Sequence, residues 1–172
     1  MARRDAREGP YLLPSMLPSS NDISFTQTTF FASGNTRLPS PAEVRRAGGE
    51  ANMNRPRPVV FRSLGLVVKY GLVIKVTEAQ CLWAVRNLVP TLPVPELYGW
   101  CQDNGQTFIN MQLIDGITLE EGWPDLDIEE KMNICVELRH MLGDLRQLRQ
   151  DPTAPFIGKS ILQYAYIGRD SD

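Results

Sequence analysis

The chain of 172 residues has a single histidine, His140, and three widely spaced cysteines, Cys81, Cys101 and Cys135. With one histidine there is no Ser-His or Cys-His arrangement to build a nucleophilic site from. An odd number of cysteines with no C-x-x-C pair argues against a zinc site or a disulfide framework, and the expectation is buried free thiols in a reducing, cytoplasmic setting. Long apolar runs are missing too: nothing reaches the roughly 18 residues that a membrane-spanning helix needs. Pro10, Pro14 and Pro18 interrupt the apolar stretch behind Arg3, Arg4 and Arg7, which speaks against a secretory signal. Net charge is only −2, and basic and aromatic residues are not interleaved, so neither nucleic acid nor an anionic membrane is an expected partner.

What is present is an ordinary globular composition, 42% hydrophobic and 22% charged, enough for one domain with a real core. Residues 1–58 lack sustained periodicity and are rich in Pro, Gly, Ser, Thr and Asn. They read as an irregular arm draped over the domain, with a short helix near residues 41–47. There Ser40-Pro41-Ala42-Glu43 supplies a cap, a first-turn proline and an acid, and Gly48-Gly49 supplies the stop.

Order is expected from Val59. Val59-Val60-Phe61 and Leu66-Val67-Val68-Lys69-Tyr70 read as strands, separated by Ser63-Leu64-Gly65. Thr77-Glu78-Ala79-Gln80 has the spacing of a capping box, predicting a helix from Thr77 to about Val89, ahead of Pro90. Pro93 and Pro95 lead into an extended Leu97–Trp100. Asp103-Asn104-Gly105 is a hairpin turn, and Thr107–Leu113 is the returning strand, with Thr107, Ile109, Met111 and Leu113 on one face. A second capping box at Thr118–Glu121 opens a short helix. Asp127 and Glu130 open a long one, with Ile128, Met132, Cys135, Leu138, Leu142 and Leu145 as its apolar stripe and Pro152 as its close. Strands, helix, hairpin, helix in that order predict an α+β domain: a small antiparallel sheet with a packed helix.

Lys69 ends a strong β run and Glu78 opens the next helix, where Glu78, Leu82, Val85 and Val89 share a face. A carboxylate turned with that stripe toward the sheet needs a cation, and Lys69 is the nearest candidate. Kinase-type sites use such a pair to hold a lysine against nucleotide phosphates. Spacing alone leaves a second reading open: Glu78 as a first-turn acid favoured by the helix dipole, and Lys69 as a strand-end residue reaching water.

Four segments, Leu66–Gly71, Glu78–Leu82, Val94–Trp100 and Phe108–Gly116, resemble in this order the aminoglycoside phosphotransferase and choline kinase-like family, notably its fungal members. Leu38–Arg45 and Leu145–Pro152 add to the resemblance, which spans about residues 22–158. It implies the smaller lobe of a protein-kinase-like fold at residues 59–116 and the beginning of a larger lobe at 117–158. It also implies ATP with Mg²⁺ as cofactor. Lys69 would be the phosphate-binding lysine and Glu78 its helix partner. Met111 would lie beside the adenine, with the Gln112 carbonyl and the Ile114 amide, on either side of Leu113, edging the base. Asp115-Gly116 would be the hinge. For Met111 and Ile114, plain core packing is the competing reading.

The sequence departs from that family where chemistry is concerned. Gly65 stands alone where a glycine-rich phosphate flap would be, and the His-Gly-Asp loop, its downstream Asn and the metal-binding Asp have no counterpart. Gly143-Asp144-Leu145 is a decoy, because Leu142 and Leu145 continue a helical stripe. Residues 159–172 diverge, and the expectation is a truncated, inactive relative of the family. A non-catalytic module that associates with itself or with another protein through an exposed lobe face is the alternative.

Overall fold

The computed structural model describes residues 9–49 and 58–151. Asn104 and Gly105 both take positive φ, 50° and 74°, the geometry that closes a two-residue hairpin loop. They join β4 (Leu97–Asp103) to β5 (Gln106–Gln112) in antiparallel register, Asp103 opposite Gln106 and Leu97 opposite Met111. β5 also pairs with β3 (Leu66–Gly71), and β3 with β2 (Val59–Phe61). A two-residue strand from the N-terminal arm, β1 (Ile23–Ser24), pairs with β4. The result is a five-stranded antiparallel sheet in the order β1-β4-β5-β3-β2. With the helices it makes an α+β domain.

Alternation along the strands builds a core on each face. Leu66, Val68, Tyr70, Tyr98 and Phe108 pack on one side against Phe30 and Val44. Leu97, Trp100 and Ile109 pack on the other against Ile74 and Ala79. Burial on both faces explains why residues 106–110 are all buried although they include Gln106, Thr107 and Asn110.

The arm does more than drape. Besides β1 it forms α1 (Thr29–Ala32) and α2 (Pro41–Gly48), and it buries Leu12, Phe30 and Val44 to 2% exposure or less. These residues enter the core singly, so no period in the sequence announces them. α2 begins as expected, with the Ser40 and Glu43 side chains capping each other's amides, and ends at Gly49 with φ 68°. Arg45 on α2 then reaches the hairpin, bonding Gln106 Oε1 (2.7 Å) and Asp103 Oδ2 (2.6 Å) while lying over the Phe108 ring.

α3 (Val76–Leu88) corrects the expected start. Its N-cap is Lys75, no side chain caps it, and Thr77 falls inside the first turn. The predicted box of Thr77 and Gln80 fails because the chain is already helical at Val76, the Glu78 amide bonding the Lys75 carbonyl (3.0 Å), and the Gln80 side chain reaches the arm at Pro18 instead. The predicted stripe is buried only at Val89: Ala79 and Ala84 are fully buried, while Leu82 and Val85 are only partly so. α3 has neighbours on two sides, the sheet through Ala79 and Leu82, and the arm through Gln80, whose amide bonds the Pro18 carbonyl (2.9 Å).

α4 (Leu119–Gly122) and α5 (Ile128–Leu145) open on the expected capping boxes at Thr118–Glu121 and Asp127–Glu130. Gly143 and Asp144 are helical, as the stripe required. α5 stops at Leu145, short of Pro152, which lies outside the described residues along with the rest of residues 152–172. The chain turns there because Arg149 pairs its backbone with the arm: its amide bonds the Pro10 carbonyl, and its carbonyl accepts from Leu12. The stripe of α5 is not packed, with Ile128 78%, Met132 63% and Leu142 52% exposed. Cys135 is consequently exposed, against the expectation that all three thiols are buried; Cys81 and Cys101 are partly buried, and all three are free.

Candidate functional site

Register and alternation assign the faces. Lys69 lies opposite Ile109 and Val67 opposite Met111, so Lys69, Val67, Ile109 and Met111 share the face that α3 covers. The helix axis brings Glu78 to the rim of that face, one residue and about 100° of turn away from the buried Ala79. There Lys69 Nζ donates to Glu78 Oε2. The expected pair is formed, but not in the buried setting that the stripe implied. The side chains keep 39% and 41% of their surface, because Ala79 rather than Glu78 centres the helix on the sheet. Water reaches both groups, so the pair adds only about 0–1 kcal/mol to stability.

The remaining predicted positions separate. Met111 packs against Ile109 and Leu97, so core packing accounts for its side chain. Gln112 is on the other face; its amide bonds the Glu96 carbonyl (2.8 Å), and its Oε1 accepts from the Glu96 amide (3.2 Å). Leu113 extends the sheet by one bond to the Gly65 carbonyl (2.9 Å). Ile114 is 59% exposed, so core packing fails there, and its amide has no hydrogen-bond partner among the described residues. Asp115 and Gly116 follow as an exposed connection, with Gly116 at φ 135°.

Lys69 therefore presents an amine, fixed by a carboxylate, on the sheet face beside Met111, and Ile114 presents a donor just past the end of β5. An anionic phosphate fits the amine, and a base edge fits the amide. Among the described residues no three His, Cys, Asp or Glu side chains converge as a set of metal ligands.

Two groups that sequence reasoning passed over are prominent. Glu96 keeps only 13% of its side-chain surface and holds the arm to the sheet, accepting from the Thr29 amide (3.1 Å) and hydroxyl, with Arg86 at 3.8 Å. Asn110 is 2% exposed, and its Oδ1 finds no donor among the described residues. The signal available for Asn110 was a polar residue in an otherwise apolar strand position, which period-two reading assigns to solvent. The thiols are tuned by their surroundings: burial, and then Asp22 and Asp103, push Cys101 up to about 11, and burial together with Glu78 raises Cys81.

Comparison with protein families, curated proteins and solved structures finds no match to this chain.

Proposed function

We propose that the chain is a nucleotide-clasping lobe of the aminoglycoside phosphotransferase and choline kinase-like type, one that holds ATP without transferring its phosphate. The observation that carries the reading is the Lys69–Glu78 contact between a central strand and the helix that follows it. In kinase-type sites a strand lysine set by a helix glutamate steadies the nucleotide phosphates. Met111 on the Lys69 face, and the Ile114 amide past the strand end without a partner among the described residues, support the reading as edges for a base. Asp144, the nearest candidate to orient an attacking hydroxyl, is in a helix and accepts from Thr91 (3.0 Å), which does not suit it to transfer. A thermal-shift titration with ATP, with and without magnesium, tests it. A saturable rise in melting temperature that is lost in Lys69→Ala is expected. No rise in the native chain, or the same rise in the variant, overturns the reading.

A second reading, self-association, is favoured by α5. Its stripe of exposed apolar residues runs the length of an 18-residue helix. Acids crowd the start, at Asp127, Glu129 and Glu130, and Arg139, Arg146 and Arg149 lie toward and beyond the end. Two copies paired antiparallel along this helix would bury both stripes and set acidic starts against Arg146 and Arg149, which follow a last turn that itself carries Asp144 and no basic residue.

A further inference from the structure

Opposite the Lys69 face, the sheet holds a polar group that its own fold leaves unsatisfied. The row Val68–Asn110–Gly99–Ser24 crosses β3, β5, β4 and β1. Gly99 contributes no side chain to it, and could contribute none: a Cβ there would collide with the Ile23 carbonyl oxygen of β1. The space over Gly99 is taken by the Ile23 carbonyl and the Leu38 side chain, neither of which can donate a hydrogen bond, and Asn110 Oδ1 is left without a donor among the described residues. Asn110 lines a cleft of about 320 Å³, together with Asp22, Ser24, Phe31, Thr36 and Arg37.

Burying an amide oxygen without a donor is costly, and native structures rarely do it without water or a ligand. A carboxamide offers an acceptor beside a two-proton donor, so its complement is a planar edge carrying a donor beside an acceptor. The N6 and N7 edge of adenine is such an edge, and it is the one asparagine pairs with in base recognition. Phe31 and Leu38 give the cleft apolar wall, which suits a ring. Its charge argues against a phosphate: Arg37 is spent on both oxygens of Glu43 (2.7 and 2.8 Å), and Asp22 adds a negative charge.

We infer that the cleft over Asn110 binds a neutral nucleobase-type heterocycle, whose donor–acceptor edge pairs with the Asn110 carboxamide. The site is on the other face of the sheet from Lys69 and does not depend on the phosphotransferase reading.

Calorimetric titration of the full chain with adenine, and separately with cytosine, tests it. Saturable binding of at least one base is expected, weakened at least tenfold in Asn110→Leu. Thr36→Trp, at the exposed mouth, should also block binding without disturbing Asn110, which guards against misfolding of the first variant. Binding that survives both cleft substitutions belongs to another surface and overturns the inference. So does failure of both bases to bind the native chain, with only an ordered water on Asn110 Oδ1 in a crystal soaked with them.

Discussion

The Lys69 amine and the Glu78 carboxylate meet at the junction of β3 and α3 with about three-fifths of each side chain covered, 39% and 41% remaining exposed. Such a pair is too wet to be a main support of the fold and too well placed to be an accident of a flexible surface. Lys69→Ala and Glu78→Gln should therefore each change stability by no more than about 1 kcal/mol in chemical denaturation. Both should nevertheless remove the response to ATP. A large loss of stability in either variant would assign the pair a structural role instead.

Gly99 should tolerate no side chain. It lies at a register shift in β4 with φ 156°, and a Cβ would run into the Ile23 carbonyl and the Leu38 side chain. Gly99→Ala is expected to displace β1 from the sheet edge and cost on the order of 1–3 kcal/mol, as overpacking of a closed site does. Hydrogen exchange would show the change as lost protection at Phe25, whose amide bonds the Tyr98 carbonyl (2.9 Å) in the native chain.

Elements with local chemistry were legible in the sequence, and those built by distant partners were not. Asn104-Gly105 announces its hairpin because two adjacent positive φ values demand such residues, and Ser40, Thr118 and Asp127 announce helix starts because each cap closes within three residues. The start of α3 was misplaced by two residues, since Gln80, read as the partner of a Thr77 cap, reaches instead to Pro18, a residue far away in the sequence. Phe30, Val44 and Leu12 were read as arm because single residues entering a core have no period. For the candidate site, spacing left the Lys69–Glu78 contact as one of two readings, and the exposure of the pair was not legible, because that depends on Ala79 sinking deeper than Glu78. Asn110 was invisible, since only the sheet pairing with Gly99 leaves its Oδ1 without a donor among the described residues.

Thiol reactivity should order the cysteines. Cys135 is exposed on α5, whereas Cys101 is held near 11 by burial and two carboxylates, and Cys81 is raised by burial and Glu78. A disulfide reagent at pH 7.5 should modify one thiol quickly and the other two only slowly, because the thiolate is the reacting form. Mass mapping of the fast adduct to any residue but Cys135 would contradict the exposure of α5.

Acid should loosen α2 through Glu43. Hydrogen bonds from Arg37, and then from the Ser40 amide and hydroxyl, hold this carboxyl well below the usual carboxylate range. A carboxyl lowered in the folded state stabilises fully above its unfolded value, and that contribution is lost as pH falls toward the folded one. Arg37→Ala should bring Glu43 back toward an ordinary carboxylate, seen by NMR titration, and should flatten the fall of melting temperature between pH 5 and pH 3. An unchanged Glu43 titration would mean that Ser40 alone holds the group.

The exposed stripe on α5 should give the chain a concentration dependence that a closed domain would lack. Ile128, Met132, Leu138 and Leu142 are each at least 45% exposed along one helix. If two copies pair antiparallel, light scattering after size exclusion should show a dimer, and the double variant Leu138→Glu, Leu142→Glu should yield a monomer of unchanged helicity. The charges supply a second handle. Arg146→Glu should weaken the dimer by placing acid against the acidic helix start of the partner, and Glu129→Arg with Glu130→Arg in the same chain should restore it. A stripe that merely aggregates would respond to the leucine changes but not to this charge reversal. Restoration of a discrete dimer by the compensating pair is therefore the result that separates a specific antiparallel interface from general stickiness.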